Sequence, residues 1–213
     1  MKIRPAAVLL LFAVPALAHR LDEYLQATLI SVEKNRVQAQ IRLTPGVAVF
    51  PIVTANIDTN ADGVISEAEQ RAYARRVLRD LSLRVDGRPL DLHLLSINFP
   101  RIEQMKEGMG EIQLEFEAKI PQTGPNRRLI LENRHQPAIA AYLVNALVPR
   151  DPCIHLVAQN RNYQQSFYQL DYVQTGPTPL SLTWWSGGSG FLLILTGLLF
   201  ARFAWLWRRQ QAA

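Results

Sequence analysis

The stretch IQLEFEAKI, residues 112–120, alternates strictly between apolar and polar side chains. A period of two places its apolar residues on one face of a β-strand and its charged residues on the other. The stretch RVQAQIRL, residues 36–43, alternates in the same way. Both stretches predict strands with one face in a core and one in water, which is typical of antiparallel sheets.

Turn signals separate further apolar runs along the chain. Asp86-Gly87 stands between two of them, and this dipeptide is the strongest short signal for a hairpin. We expect further strands at residues 23–33, 128–133, 139–148, 153–159 and 165–173. Many short strands joined by turns predict a mainly β fold, an antiparallel β-sandwich of the immunoglobulin-like kind.

A helical insertion at residues 48–81 interrupts this pattern. Residues 66–81 are rich in helix formers, and Tyr73, Val77 and Leu81 recur at every fourth position. Before them, VAVFPIVTANI at residues 47–57 predicts a shorter helix, because Pro51 is tolerated near a first helical turn.

The twelve residues DTNADGVISEAE, 58–69, join the two predicted helices. Ca²⁺ takes six to eight oxygen ligands, and a loop of this length offers them at positions 1, 3, 5, 7, 9 and 12. The candidate ligands at those positions are Asp58, Asn60, Asp62, the Val64 carbonyl, Ser66 (directly or through water) and Glu69. Gly63 stands at position 6, where the backbone turns too sharply for most side chains.

The loop and its flanking helices, about thirty residues, resemble an EF-hand. The resemblance implies one bound Ca²⁺ held by the six candidate ligands. It also assigns Ile65 the place of the apolar residue that normally pairs two such loops. Gln70 departs from the pattern, because the family usually has an apolar residue there that packs the outgoing helix.

The motif occurs once in the chain, which bears on its role. A lone loop with three carboxylates and one amide predicts weak binding, with a Kd of about 10⁻⁴–10⁻³ M. We therefore expect a structural role, in which the ion holds the insertion against the sandwich. The alternative is a module for calcium-dependent sensing or adhesion.

Both ends of the chain predict export and a membrane tether. Residues 1–18, MKIRPAAVLLLFAVPALA, have the basic start, apolar run and A-x-A site of a signal peptide. Residues 188–207 predict a transmembrane helix, with Arg208 and Arg209 on the cytoplasmic side. The expected order is therefore an exported domain (19–173), a linker (174–187), the span (188–207) and a cytoplasmic tail (208–213), in a bacterial inner membrane with the domain facing the periplasm.

Charge and motifs exclude several functions. Five of the 23 basic residues lie in the two end segments, so the exported domain has 18 basic residues against 18 acidic ones. This balance argues against nucleic-acid binding. The chain also lacks G-x-S-x-G, H-E-x-x-H and a phosphate-binding glycine loop, so we interpret it as a non-enzyme whose partners are the membrane and an unidentified protein.

Other residues allow a second metal hypothesis. Signal cleavage would make His19 the N-terminus, and its amine and imidazole could bind copper together with His93, His135 or His155. Cys153, the single cysteine, is expected to be a small core thiol, with an intermolecular disulfide as the alternative. A row of arginines on the second predicted helix is expected to face solvent, with docking of an acidic partner as the alternative: Arg71, Arg75 and Arg79, with Arg76 beside them.

Two further resemblances concern longer segments. Residues 18–53 and 140–172 resemble the exported N-terminal region of HupE/UreJ-type bacterial membrane proteins. Those relatives continue into several membrane spans, whereas one span is expected here, so their transport function does not carry over. Residues 186–190, followed by the span and a basic end, resemble a GlyGly-type C-terminal sorting signal, which implies that cleavage could release the domain.

Overall fold

A computed structural model describes residues 22–121 and 123–176, which form ten strands and three helices. The strands are β1 (Tyr24–Val32), β2 (Arg36–Pro45), β3 (Leu81–Val85), β4 (Arg88–Pro89), β5 (His93–Asn98), β6 (Ile112–Lys119), β7 (Asn126–Asn133), β8 (Ala140–Ala146), β9 (Ile154–Arg161) and β10 (Phe167–Gln174). The helices are α1 (Phe50–Ile57), α2 (Glu67–Asp80) and α3 (Ile102–Lys106). The expected mainly β character is confirmed.

The strands form two sheets of five. Sheet A has the order β5-β6-β2-β1-β8, and sheet B has the order β4-β3-β7-β10-β9. The strand pairs of these sheets are antiparallel except one, because β8 runs parallel to β1. The expected antiparallel arrangement is therefore found in the other strand pairs and not in this one. Turn signals predict which strands are joined by hairpins, but β1 and β8 are joined by a long crossover.

The two sheets share one buried core. In β6 the apolar residues of the alternating stretch, such as Ile112 and Leu114, are fully buried, as the period of two predicts. Leu129 of β7 and Leu170 of β10 belong to the same buried cluster, although they lie in sheet B. Burial of apolar side chains from both sheets is therefore what holds the layers together.

The Asp86-Gly87 turn forms as predicted. It connects β3 to β4, and both residues have positive φ, +52° and +78°. Two consecutive positive φ angles are the requirement of a type I′ turn, which fits the twist of a hairpin.

Helices α1 and α2 form the predicted insertion. Pro51 lies in the first turn of α1, where its missing N–H removes no helical hydrogen bond. Ser66 is the N-cap of α2. The buried face of this helix contains Tyr73 and Val77, as their spacing of four residues predicts. The short helix α3 was not predicted.

The predicted membrane elements lie outside the described residues. These are the signal peptide (1–18), the span (188–207), the cytoplasmic tail (208–213) and, apart from residues 174–176, the linker. Among the described residues, no helix combines the length and the apolar character that a bilayer crossing requires.

A buried chain of hydrogen bonds fixes α2 against sheet A. The hydroxyl of Tyr24 in β1 lies 2.6 Å from the hydroxyl of Tyr73 in α2. The Tyr73 hydroxyl also lies 2.9 Å from Nε2 of His135. Nδ1 of His135 lies 2.7 Å from Oδ2 of Asp80, at the end of α2. Tyr24, Tyr73 and His135 are at most 1% exposed. We call these four residues the buried relay.

The direction of each bond in the buried relay follows from its acidic end. A carboxylate only accepts, so Nδ1 of His135 donates to Asp80. Nε2 of the neutral ring then accepts from Tyr73, and Tyr73 in turn accepts from Tyr24. With His135 neutral, each hydrogen bond of the relay therefore joins one donor to one acceptor.

The backbone of His135 also forms hydrogen bonds with side chains of both sheets. Its carbonyl accepts from Nε2 of Gln26 at 2.9 Å and from the hydroxyl of Tyr142 at 3.0 Å. Its N–H donates to Oδ1 of Asn133 at 2.9 Å. These bonds link β1, β7 and β8 at one point, so the two sheets and α2 meet around His135.

Replacement of Tyr73 by Phe tests the relay. The change leaves the buried Tyr24 hydroxyl and His135 Nε2 without their shared partner, so the free energy of unfolding should fall by about 1–3 kcal/mol. Tyr163→Phe is the control, because that side chain is fully exposed. Urea denaturation measures both variants, and equal stabilities for the two would contradict the role of the relay.

The pH dependence of stability tests the charge state of His135. Burial lowers the pKa of His135, although Asp80 opposes this effect. As pH falls through the ordinary histidine value of about 6.5, the unfolded chain therefore binds a proton that the folded chain does not. The free energy of unfolding should decrease between about pH 7.5 and about pH 5.5. His155→Gln, an exposed position, should keep this decrease, and His135→Gln should remove it.

Candidate metal centre

The predicted calcium loop lies between the end of α1 and the first turn of α2. Helix α1 ends at Ile57, so Asp58 is the first residue after it. Asp58 is only 8% exposed, whereas the middle of the loop faces solvent. The loop is thus attached to the domain at both ends.

Backbone N–H groups hold the side-chain oxygens of the first half of the loop. Asp58 accepts through Oδ2 from the N–H of Gly63 at 2.9 Å and through Oδ1 from that of Asp62 at 3.3 Å. Oδ1 of Asn60 accepts from the N–H of Asp62 at 3.1 Å. Oδ1 of Asp62 accepts from the N–H of Val64 at 2.8 Å. The structure therefore brings together the first three predicted ligands, Asp58, Asn60 and Asp62.

The backbone conformation of this half depends on Gly63. Its φ is +80°, which L side chains rarely adopt, and no atom lies within 4 Å of an added Cβ. Conformation, not space, therefore favours glycine at this position. Ala61, with φ of +57°, adopts a similar conformation without that advantage.

Glu69 connects the start of the loop to its end. Its Oε1 accepts from the N–H of Thr59 at 2.8 Å, and its Oε2 accepts from the N–H of Ser66 at 3.0 Å and from the Ser66 hydroxyl at 2.7 Å. The hydrogen bond from the Ser66 hydroxyl is the largest cause that lowers the pKa of Glu69 to about 2. The carboxylate is therefore ionised at neutral pH.

The remaining predicted ligands are less converged. The Ser66 hydroxyl is engaged with Glu69, and Val64 is 65% exposed. Among residues 22–121 and 123–176, no three His, Cys, Asp or Glu side chains are grouped so that they could hold a metal ion. The donors are all oxygens, as Ca²⁺ requires, but Glu69 would have to exchange backbone partners for the ion.

The outgoing helix is well seated despite Gln70. Gln70 is half-buried, and its Nε2 donates to the carbonyl of Ile65 at 3.2 Å. Ile65 itself packs against the core. The departure from the family pattern thus replaces an apolar contact with a hydrogen bond.

Sequence reasoning missed the role of Arg76. Its Nη1 donates to the carbonyl of Asn56 at 3.1 Å and to the side-chain oxygen of Asn56 at 3.2 Å, which fastens the end of α1 to α2. Arg71 forms an ion pair with Glu67, and Arg75 and Arg79 are exposed. Arg76 lies one position away from the exposed row of Arg71, Arg75 and Arg79 and directly before the buried Val77. This offset is the sequence feature that indicates a different environment for Arg76.

The residues of the copper hypothesis are not brought together in the described part of the chain. His19 lies outside it. Both ring nitrogens of His135 are used in the buried relay. His93 is exposed on β5 in sheet A, and His155 is exposed on β9 in sheet B.

Comparisons with known proteins add no assignment. No protein-family model matches the chain. A comparison with curated proteins finds no match either.

A Gly63→Ala variant tests the strain in the loop. An alanine side chain disfavours positive φ, so the variant should lose about 1 kcal/mol of unfolding free energy. Gly124→Ala is the matched control, because Gly124 has equal open space and no positive φ. Denaturation curves should show a loss for Gly63→Ala only, and equal effects would contradict the conformational explanation.

Proposed function

We propose that residues 58–69 bind one Ca²⁺ ion and that the ion stabilises an exported, membrane-tethered domain. The observation that carries the proposal is the loop itself, in which oxygen donors at the required spacing are folded around Asp58 and closed by an ionised Glu69. The ligands would be Asp58, Asn60, Asp62, the Val64 carbonyl, Ser66 and Glu69. The ion would offset two of the three negative charges that Asp58, Asp62 and Glu69 bring to the loop.

The packing of the two helices favours a structural role over sensing. Sensor EF-hands open on binding Ca²⁺ and expose an apolar groove. Here Val53 and Ile57 of α1 are buried with Tyr73 and Val77 of α2 in the core that both sheets share. Opening would expose these side chains and break the bond from Arg76 to α1. Binding without opening is therefore the less costly response.

The proposed cellular setting follows from the sequence. The domain would face the periplasm, tethered to the bacterial inner membrane by residues 188–207, or would be released by cleavage at the GlyGly-type signal. Its resemblance to the exported region of HupE/UreJ-type proteins supports an accessory role in the cell envelope, in contact with an unidentified protein. Calcium would keep the surface for that contact in one conformation.

Calorimetric titration of the full-length chain with Ca²⁺ tests the binding. We expect a Kd of about 10⁻⁴–10⁻³ M and a higher melting temperature at saturating calcium. Glu69→Gln should lose both effects, because it removes the charge of the closing ligand. Glu67→Gln should keep both, since Glu67 lies on the same helical turn but points to solvent. Absence of heat and of a melting shift up to several times the expected Kd would overturn the proposal and leave copper binding by His19 to be tested.

Limited proteolysis separates the structural role from sensing. A structural ion should slow cleavage at existing sites and create no new ones, because α1 and α2 stay packed. The measurement compares fragment patterns with calcium and with a chelator. New cleavage sites on calcium addition would favour the sensing module instead.

A further inference from the structure

Gln70 holds the end of the calcium loop by two hydrogen bonds. Its side-chain Nε2 donates to the carbonyl of Ile65 at 3.2 Å. Its backbone N–H donates to the carbonyl of Ser66 at 3.0 Å. One residue of α2 thus contacts the last two residues of the loop before the helix.

These contacts fix the peptide unit between Ile65 and Ser66. Its carbonyl oxygen is held by Gln70, and its N–H is held by Oε2 of Glu69 at 3.0 Å. Since a peptide unit is planar, the bond from Gln70 would still limit its orientation when Glu69 exchanges Ser66 for the ion. The Ile65 side chain packs against the core, which gives this residue a third point of attachment.

The fixed peptide unit lies between two of the proposed ligands. The Val64 carbonyl belongs to the preceding peptide unit, so only the φ and ψ angles of Ile65 separate the two units. Glu69 follows on the helix to which Gln70 belongs. A change at Gln70 therefore affects both the Val64 carbonyl and the closing carboxylate.

We propose that Gln70 is a positioning residue of the calcium site, which orients the Ile65–Ser66 peptide so that the Val64 carbonyl and Glu69 can serve one ion. The proposal rests on the calcium binding proposed above. An apolar side chain at position 70 would fill similar space but would not donate to Ile65. The donor lies on α2, the helix that directly follows the loop.

Calcium titrations of Gln70 variants test this role. Gln70→Met keeps the length of the side chain and removes the donor, and Gln70→Asn keeps the amide and shortens it. Each should weaken the Kd of the full-length chain about two- to tenfold, the worth of one hydrogen bond. Gln113→Met is the matched control. Gln113 lies in β6, away from the loop; it is also half-buried, and its amide also donates a hydrogen bond, to Glu111.

Melting curves in a chelator accompany the titrations. A residue that only supports α2 would lower the calcium-free melting temperature and leave the Kd unchanged, which would overturn the positioning role. Equal weakening in Gln113→Met would also overturn it. If the unaltered chain binds no calcium, the proposed function fails together with this inference. If that chain binds and Gln70→Met binds equally well, only this inference fails.

Discussion

The buried relay through His135 is the constraint on which the rest of this domain depends. An unpartnered hydroxyl or imidazole in a core costs about 1–3 kcal/mol, so the three buried members, Tyr24, Tyr73 and His135, tolerate burial only through their neighbours. Tyr24 belongs to β1, Tyr73 and Asp80 belong to α2, and His135 follows β7. The hydrogen bonds of the relay therefore form only when the register of β1, the position of α2 and the path of the chain after β7 are all correct.

Helix α2 connects this constraint to the proposed calcium loop. Glu69, Tyr73, Arg76 and Asp80 follow one another at spacings of three and four, so they share one helical face. The first closes the loop, the second and fourth belong to the relay, and Arg76 holds the end of α1. The helix that carries Glu69, the last proposed ligand, is thus already fixed by the core. An ion bound to the loop would add to an existing attachment, which fits a structural role better than a moving one.

The sequence predicts the faces of the strands well and their neighbours poorly. Alternation in residues 112–120 and 36–43 correctly identifies the buried side chains, because a period of two is a local property. In the middle of β1 the pattern is reversed, with Gln26 and Thr28 buried and Leu25, Ala27 and Leu29 partly exposed. Gln26 is buried because Asn133 and His135 supply its partners, more than a hundred residues away. No local signal reports such a pairing, and the same is true of the parallel contact between β1 and β8.

The candidate site shows the same division between local and distant causes. Most of the hydrogen bonds that shape the loop join residues three to five positions apart or closer, such as Asp58 to Gly63 and Ser66 to Glu69, so the order of residue types can predict them, whereas the bond from Thr59 to Glu69 spans ten positions. The parts that hold the loop in place are less visible. Arg76 is one arginine among four on α2; its offset from the other three indicates that it leaves their exposed row, but its partner Asn56 is visible only from the position of α1. A loop of this kind can therefore be predicted from a sequence before its support can, since its candidate ligands are defined by spacing, whereas its rigidity depends on the domain around it.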